Sequence, residues 1–370
     1  MKITLIGNSG ISIYGYRYEL VQTLLSLGHE VSVIAPRDSM VEELEQMGCI
    51  CYDASLNRHG TNPFQELKLL NQYKKLLREI RPDYVLTYTI KPNIYGAMAC
   101  GTLKIPCVAN ITGLGTAVES KGIMQTVTTV LYRIAFKKIQ TIFFQNEENK
   151  EFFVQKNLYT DKHKLLPGSG VNLTRFTPYE YPKDDTVDFV FISRLMKEKG
   201  IDQYLEAAEV IREKYPHTRF HICGFCEETY EKRMDDLLKN NTVIYHGMVK
   251  EIETVLKDVH CTVHPTYYPE GLSNVLLESC ACARPIITTD RAGCREVLED
   301  GKNGFTVKQE DTQDLIRQIE KFLALSNEER REMGLYGRVK VEREFDRNIV
   351  INAYFREIGL EETAPIYANL

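Results

Sequence analysis

The sequence has no apolar run approaching the roughly 18 residues that a bilayer crossing needs, so no segment reads as a membrane span. Nor does it open on a basic segment, an apolar run and a small-residue cleavage site. The chain enters a strand at once, Lys2-Ile-Thr-Leu-Ile-Gly7, and a cytoplasmic protein is the expectation. Cys49-x-Cys51 and Cys280-x-Cys282 lack metal-finger spacing, and the 10 cysteines are scattered through strand and helix patterns. They read as small buried apolar residues rather than a disulfide framework. The first strand-to-helix turn, Gly7-Asn-Ser-Gly10-Ile-Ser, lacks the full G-x-G-x-x-G spacing. Pro36 and Arg37 stand where an acidic residue would end the second strand, which argues against a dinucleotide site. Gly10 still lets backbone approach a phosphate at a helix start, and a plain tight turn explains it equally well.

What is present fits a water-soluble globular chain. The 370 residues are 43% hydrophobic and 26% charged, and that length calls for two cores. The net charge of −5 divides unevenly, +5 over residues 1–175 and −10 over 176–370, so one half is suited to something anionic. Short apolar strands alternate with amphipathic helical stretches in both halves. In the first, strands are expected at Lys2–Gly7, Glu30–Ala35, Asp83–Tyr88, Pro106–Ile111 and Thr141–Gln145, with helices at Tyr14–Leu27 and Phe64–Ile80. In the second they are expected at Asp188–Ser193, Arg219–Gly224, Val243–His246, Cys261–His264 and Pro285–Thr289. Near-continuous apolar strands separated by helices mean parallel sheets covered on both faces, hence an α/β fold of two Rossmann-like, doubly wound domains facing a cleft. Their expected extents are 1–178 and 186–345, with a helix at 346–360 returning to the first and a frayed tail at 361–370. Pro167–Pro178 and the polar run Tyr179–Thr186 read as the linker.

Two carboxylates, Glu270 and Glu278, bracket the turn Gly271-Leu-Ser-Asn274 at the start of a helix. The backbone N–H groups of Leu272, Ser273 and Asn274 are expected to be unpaired there, and with the helix dipole they form an anion site. Amides for phosphate and carboxylates for hydroxyls suit a nucleotide sugar. In Phe191-Ile-Ser-Arg-Leu-Met-Lys-Glu-Lys-Gly200, Arg194 and Lys199 follow the first strand of the second half, at the sheet edge where such folds bind ligands. A guanidinium fork and an ammonium can hold a diphosphate, and their attraction grows as negative charge collects on a leaving oxygen.

Taken in order, Gly10, Gly170-Val-Asn172, Ser193-Arg194 with Lys199-Gly200, Pro269-Glu270-Gly271 with Glu278, and the D-x-x-G-x-x-E…N-G pattern from Asp290 to Gly304 resemble the family 4 retaining glycosyltransferases of the GT-B fold. Within the family, Ser12-Ile-Tyr, Tyr88-Thr-Ile-Lys-Pro-Asn-Ile-Tyr-Gly96, Thr112-Gly-Leu-Gly115 and Gln145-Asn-Glu-Glu-Asn149 are similar to enzymes that extend undecaprenyl-diphosphate-linked saccharides, among them N-acetylgalactosaminyltransferases. The resemblance implies that Glu278 holds the ribose and Arg194 and Lys199 the diphosphate. It places the amides of Leu272, Ser273 and Asn274 on phosphate or sugar, and Glu270 toward the transferred sugar. Catalytic work falls to Glu270, Arg194 and Lys199, donor binding includes Gly10, and the acceptor side includes Lys91 and Gly113. Many relatives carry a histidine where this chain has Ile90-Lys91.

The expected reaction is transfer of a hexose, with an N-acetylhexosamine favoured, from a UDP-sugar to a lipid-linked saccharide with retention. No cofactor is expected. No D-x-D motif stands in the cleft loops, and Arg194 with Lys199 can replace a metal. A UDP-sugar 2-epimerase of the same fold and a non-catalytic nucleotide-sugar-binding protein remain alternatives. The expected partners are the UDP-sugar, the lipid-linked acceptor and an anionic membrane surface at the inner face of the cell membrane, with no nucleic acid. For the last of the expected partners the residues offer Lys121–Lys138, a basic helix with apolar Ile123, Val127, Val130, Leu131, Ile134 and Ala135. That stripe is as wide as an ordinary buried face. The exposed side, with Arg133, Lys137 and Lys138, is the side expected to rest on lipid.

Overall fold

The computed structural model describes residues 1–54, 62–115, 122–183 and 185–362. The tail reading beyond 362 and Lys121 of the basic helix lie outside them. The chain divides into two compact units, one comprising Met1–Ser169, Pro269–Leu272 and the chain from Asn348 on, the other Gly170–Tyr268 and Ser273–Arg347.

In the first unit β1 (Lys2–Ile6), α1 (Gly10–Ser26), β2 (Glu30–Ala35), α2 (Ser39–Gln46), β3 (Ile50–Asp53), α3 (Pro63–Ile80), β4 (Tyr84–Tyr88), α4 (Ala97–Leu103), β5 (Cys107–Ile111), α5 (Ile123–Ala135), β6 (Thr141–Phe144), α6 (Glu147–Gln155) and β7 (His163–Leu165) follow one another. The strands form one parallel sheet in the order β3-β2-β1-β4-β5-β6-β7. Apolar clusters cover both faces. Helix starts are fixed locally: the side chains of Ser9, Asp38 and Asn62 accept backbone N–H groups at the beginnings of α1, α2 and α3, and Pro63 occupies the first turn of α3.

The second unit contains β8 (Val187–Ile192), α7 (Ile201–Lys214), β9 (Thr218–Cys223), α8 (Glu228–Lys239), β10 (Ile244–Gly247), α9 (Ile252–Leu256), β11 (Cys261–His264), α10 (Asn274–Ala281), β12 (Ile286–Thr289), β13 (Gly304–Val307), α11 (Thr312–Leu323) and α12 (Asn327–Glu344). Its sheet is also parallel, in the order β10-β9-β8-β11-β12-β13. Three strands, β3, β7 and β13, are additions to the sequence reading, and each is the edge of its sheet.

The helix expected at 346–360 is α13 (Arg347–Ile358), parted from α12 at Phe345-Asp346. Val350, Ile351, Tyr354, Phe355 and Ile358 of α13 join Ile3, Leu5 and Val33 in the core on one face of the first sheet. The Tyr354 hydroxyl accepts from Asn110 Nδ2 at 2.6 Å, and its ring meets Phe143 edge-on at 5.2 Å. The linker run is tied down rather than loose. Arg284, fully buried, donates to the carbonyl oxygens of Leu256, Lys257, Tyr179, Glu180 and Ala283, with its guanidinium 5.4 Å from the Tyr181 ring centre. Two of those acceptors end α9, where helix carbonyls lack internal partners. All 10 cysteines are free thiols and eight are buried; burial pushes Cys280 and Cys282 up to about 12. No helix among the described residues is long and apolar enough to cross a membrane.

The amphipathic reading of the basic helix is reversed for four of its six stripe residues, while Ala135 is buried and Leu131 packs against the core. In α5 the buried residues are Thr128, Thr129, Tyr132 and Ala135, while Ile123, Val127, Val130 and Ile134 face outward. Tyr132 packs its ring 5.1 Å from both Phe136 and Phe153, and that aromatic contact, not the aliphatic stripe, sets the rotation of the helix.

Candidate functional site

In the second unit the basic loop after β8 is held against the segment leading to α10. Gly200 makes this possible: its φ is +78°, and a Cβ there would lie 2.2 Å from the Pro265 carbonyl oxygen. The Glu198 carbonyl accepts from the Tyr267 N–H at 2.9 Å and from the Thr266 hydroxyl at 3.2 Å. Lys199 Nζ stands 4.8 Å over the Tyr268 ring, and Arg194 is exposed. The loop therefore offers two cations at the carboxyl edge of the sheet, one of them restrained by an aromatic face.

The turn into α10 differs in one detail from expectation. The Ser273 N–H is spent on the Gly293 carbonyl at 2.8 Å, because the loop Asp290–Glu296 closes over it. The amides of Leu272 and Asn274 have no acceptor among the described residues. Glu278, on α10, is half-buried. Burial pushes its carboxyl up to about 7, against the pull of Arg347 and Arg175, while Glu253 adds to the rise. Those neighbours are assembled by Gly170-Val-Asn172. The Asn172 side chain accepts the N–H groups of Thr174 and Arg175 at 3.0 Å, a local turn that delivers Arg175 to a two-pronged pair with Glu253. Val171 is pinned between helices, donating to Phe345 O at 2.8 Å and accepting from Arg347 N at 3.1 Å. The sequence reading had the G-V-N motif but not Arg175, Glu253 or Arg347 around Glu278; only the Asn, a turn former, signalled them.

A carboxyl raised to about 7 from 4.5 is disfavoured as an anion by the fold. Its contribution to stability is fully present below about pH 4.5 and is lost as pH climbs through 7. Glu278→Gln, neutral at all pH, should therefore be more stable than the native chain at pH 8, by up to about 3 kcal/mol, and should nearly match it at pH 4.5. Scanning calorimetry without ligand checks this, and a pH-independent difference would count against the raised carboxyl.

In the first unit the segment Pro269–Leu272 is clamped by the motifs quoted from that half. Asn146 Nδ2 donates to the carbonyls of Glu270 and Gly271 at 3.2 and 2.5 Å. A Cβ on Gly271 would lie 2.3 Å from Gln145 Oε1 and 2.5 Å from Thr112 O, and one on Gly113 3.2 Å from Pro269 O. Gly113 and Glu270 are thus neighbours, and Glu270 is half-buried. Gly10 is accounted for by packing on α2: its missing Cβ would lie 2.3 Å from Asp38 Oδ1 and 2.7 Å from Val41 Cγ2. The amides of Ile11 and Ser12 behind it go to Asp38 and Ser9. Lys91 is bound to Glu66 at 2.5 Å, in a pair only 17% and 13% exposed.

Beside Lys91 lie features with no sequence signal. Thr89 has φ +69°, a conformation in which a β-branched residue is least at home, and its buried hydroxyl has no partner among the described residues. A π-helical turn follows at Pro92–Gly96, with Asn93 accepting from Thr87 Oγ1 and donating to Asn110 O, both at 2.8 Å. Both features stand at the carboxyl end of β4, the edge at which open parallel sheets bind ligands.

Comparison with known proteins matches the chain in both halves: residues 2–146 to the family model "Glycosyl transferase 4-like" and residues 177–340 to "Glycosyl transferases group 1". The N,N'-diacetylbacillosaminyl-diphospho-undecaprenol alpha-1,3-N-acetylgalactosaminyltransferase of Campylobacter jejuni is 26% identical over 96% of this chain and 98% of its own. The UDP-Gal:alpha-D-GlcNAc-diphosphoundecaprenol alpha-1,3-galactosyltransferase of Escherichia coli is 27% identical over 69% and 70%. Among solved structures, Anabaena Alr3699/HepE in complex with UDP-glucose superposes with a TM-score of 0.79 at 17% identity, over 96% of this chain and 98% of that one. With a parallel-sheet α/β unit in each half, and the halves matched in order by a 4-like and a group 1 glycosyltransferase domain, the chain is a glycosyltransferase of the GT-B fold.

Proposed function

We propose that this enzyme moves an N-acetylhexosamine from a UDP-sugar to a sugar hydroxyl of an undecaprenyl-diphosphate-linked saccharide, with retention, at the anionic inner face of the cell membrane. The observation that carries the reading is the end-to-end match to the Campylobacter transferase, 96% of one chain on 98% of the other. The site supports it. Arg194 and Lys199 supply positive charge for the departing diphosphate, a role that needs no metal ion. Glu278, on the helix behind the amides of Leu272 and Asn274, suits the ribose hydroxyls. Glu270, held by Asn146 and lying beside Gly113, suits the transferred sugar and its acceptor.

Retention passes through an oxocarbenium-like transition state in which the bond to the diphosphate is largely broken. With Glu270 on sugar hydroxyls away from the anomeric carbon, the leaving phosphate oxygen takes the acceptor proton. UDP-sugars screened against lipid-linked mono- and disaccharides, with products read by mass, test the assignment. UDP-sugar alone serves as the control for epimerisation. No added mass on any acceptor would overturn it.

The two carboxylates should separate kinetically. Glu278→Ala removes a contact to a part of the donor that does not change, and should raise donor KM with little loss of kcat, by roughly 1–3 kcal/mol for removing one partner of a buried hydrogen bond. Glu270→Ala should lower kcat more than it raises KM. Equal effects of both on KM alone would refute the roles.

A further inference from the structure

We propose that α5 seats this protein on the membrane by sinking its outward apolar stripe into the interfacial layer of an anionic bilayer. The proposal deepens the membrane-face reading above and rests on it for its purpose, but its evidence is the helix itself. Ile123, Val127, Val130 and Ile134 are 85%, 46%, 45% and 58% exposed. Their spacing places them on one line along the axis, while two threonines point into the core. A surface helix ordinarily shows the opposite arrangement. The helix cannot roll to hide the stripe, because Tyr132 is wedged between Phe136 and Phe153 and the turn would bring that ring into water.

Charge selects the occupant. From Gly122 to Asn146 the sequence contains no Asp or Glu. The apolar line runs on into Lys137, with Arg133 and Lys138 beside it, all three exposed. Arg133 Nη2 donates to Lys156 O at 2.8 Å and Lys138 Nζ to Gly101 O at 3.0 Å, which holds these two cations at the helix end. An apolar face whose charged neighbours along the segment from Gly122 to Asn146 are all cations fits lipid tails beneath anionic headgroups. A second copy docking through the same face would bring like charges together with no acidic complement. At 13 residues the helix is about 20 Å long, so it lies in the interface and does not span it.

The chain contains no tryptophan, so Ile134→Trp supplies a single reporter. Its emission should shift to the blue on adding phosphatidylglycerol-containing vesicles. In sedimentation with the same vesicles, Ile123→Ser with Ile134→Ser should lower the partition coefficient at least about tenfold at every salt concentration. Lys137→Gln and Lys138→Gln should each lower it roughly fivefold at low salt and not at high salt, where the charges are screened. Turnover on a short-chain, water-soluble acceptor should be unchanged in all of them. Vesicle binding indifferent to the serines, an unshifted reporter, or self-association that the serines dissolve in place of lipid binding would overturn the proposal. If the native chain binds vesicles but glycosylates no soluble acceptor, the acceptor reading fails and the helix assignment stands.

Discussion

Alanine at Arg194 or at Lys199 should lower kcat about 10²–10³-fold, the usual cost of removing one group that stabilises charge developing in a transition state. The two side chains share a loop that Gly200 presses against Pro265 and that Tyr267 and Thr266 bind through the Glu198 carbonyl. The loop backbone and the Lys199 side chain, over the Tyr268 ring, are fixed in the chain as it stands, so on the proposed reading little reorganisation of that part is needed as charge develops. Ground-state phosphate is already negative, so donor affinity should also fall, but less than turnover. Arg194→Lys should recover only part of the loss, because an ammonium cannot reproduce a planar fork. The same account makes EDTA nearly without effect. Activity that collapses in EDTA and returns with Mn²⁺ would show that a metal carries the charge instead. A change in KM alone for both alanine variants would reduce the pair to simple binding groups.

Arg284→Met should destabilise the second unit by at least about 3 kcal/mol, lowering its melting temperature by roughly 6 °C or more. Methionine fills much of the volume but returns none of the hydrogen bonds, so the five carbonyls now served by one guanidinium lose their donor inside the protein. Two of these close α9, and two hold Tyr179 and Glu180 of the linker. Arg284→Lys should fall between, since an ammonium reaches fewer of these acceptors. Calorimetry that places the methionine variant within about 2 °C of the native chain would mean that water replaces the donor freely at this site.

The fold was largely legible because buried parallel strands announce themselves as apolar runs. Val31–Ala35 and Val85–Tyr88 are buried on both faces and read plainly. The strands that escaped are edges with weaker patterns: Ile50–Asp53 is exposed or half-exposed throughout, His163–Leu165 has three residues, and Gly304–Val307 follows a turn-rich loop that masks it. At the site, motif spacing located Arg194, Lys199, Glu270 and Glu278, but not what surrounds them. Arg175 and Arg347 come to Glu278 from opposite ends of the second unit's sequence, a juxtaposition no local pattern encodes. The Ser273 amide is consumed by a carbonyl 20 residues on, from Gly293. Four residues of the stripe expected on α5, Ile123, Val127, Val130 and Ile134, form one exposed line, while Ala135 is buried and Leu131 packs against the core. The direction of that line was not legible, because Tyr132 and its aromatic neighbours decide which face goes in, and a tyrosine among threonines gives no such warning.

The closing of the first unit's core by α13 has a bearing on how the protein is made. A ribosome delivers the chain from its N-terminus, and domains generally fold as they emerge. Here Ile3, Leu5 and Val33 wait for Val350, Ile351 and Phe355, which are synthesised only after the whole of the second unit. The second unit's strands, helices and buried arginine lie upstream of α13 and are complete when it appears. Order of synthesis and order of completion are therefore reversed: the half made first finishes last, and the part of its sheet that α1 and α2 do not cover waits for α13 for most of the time the chain spends on the ribosome.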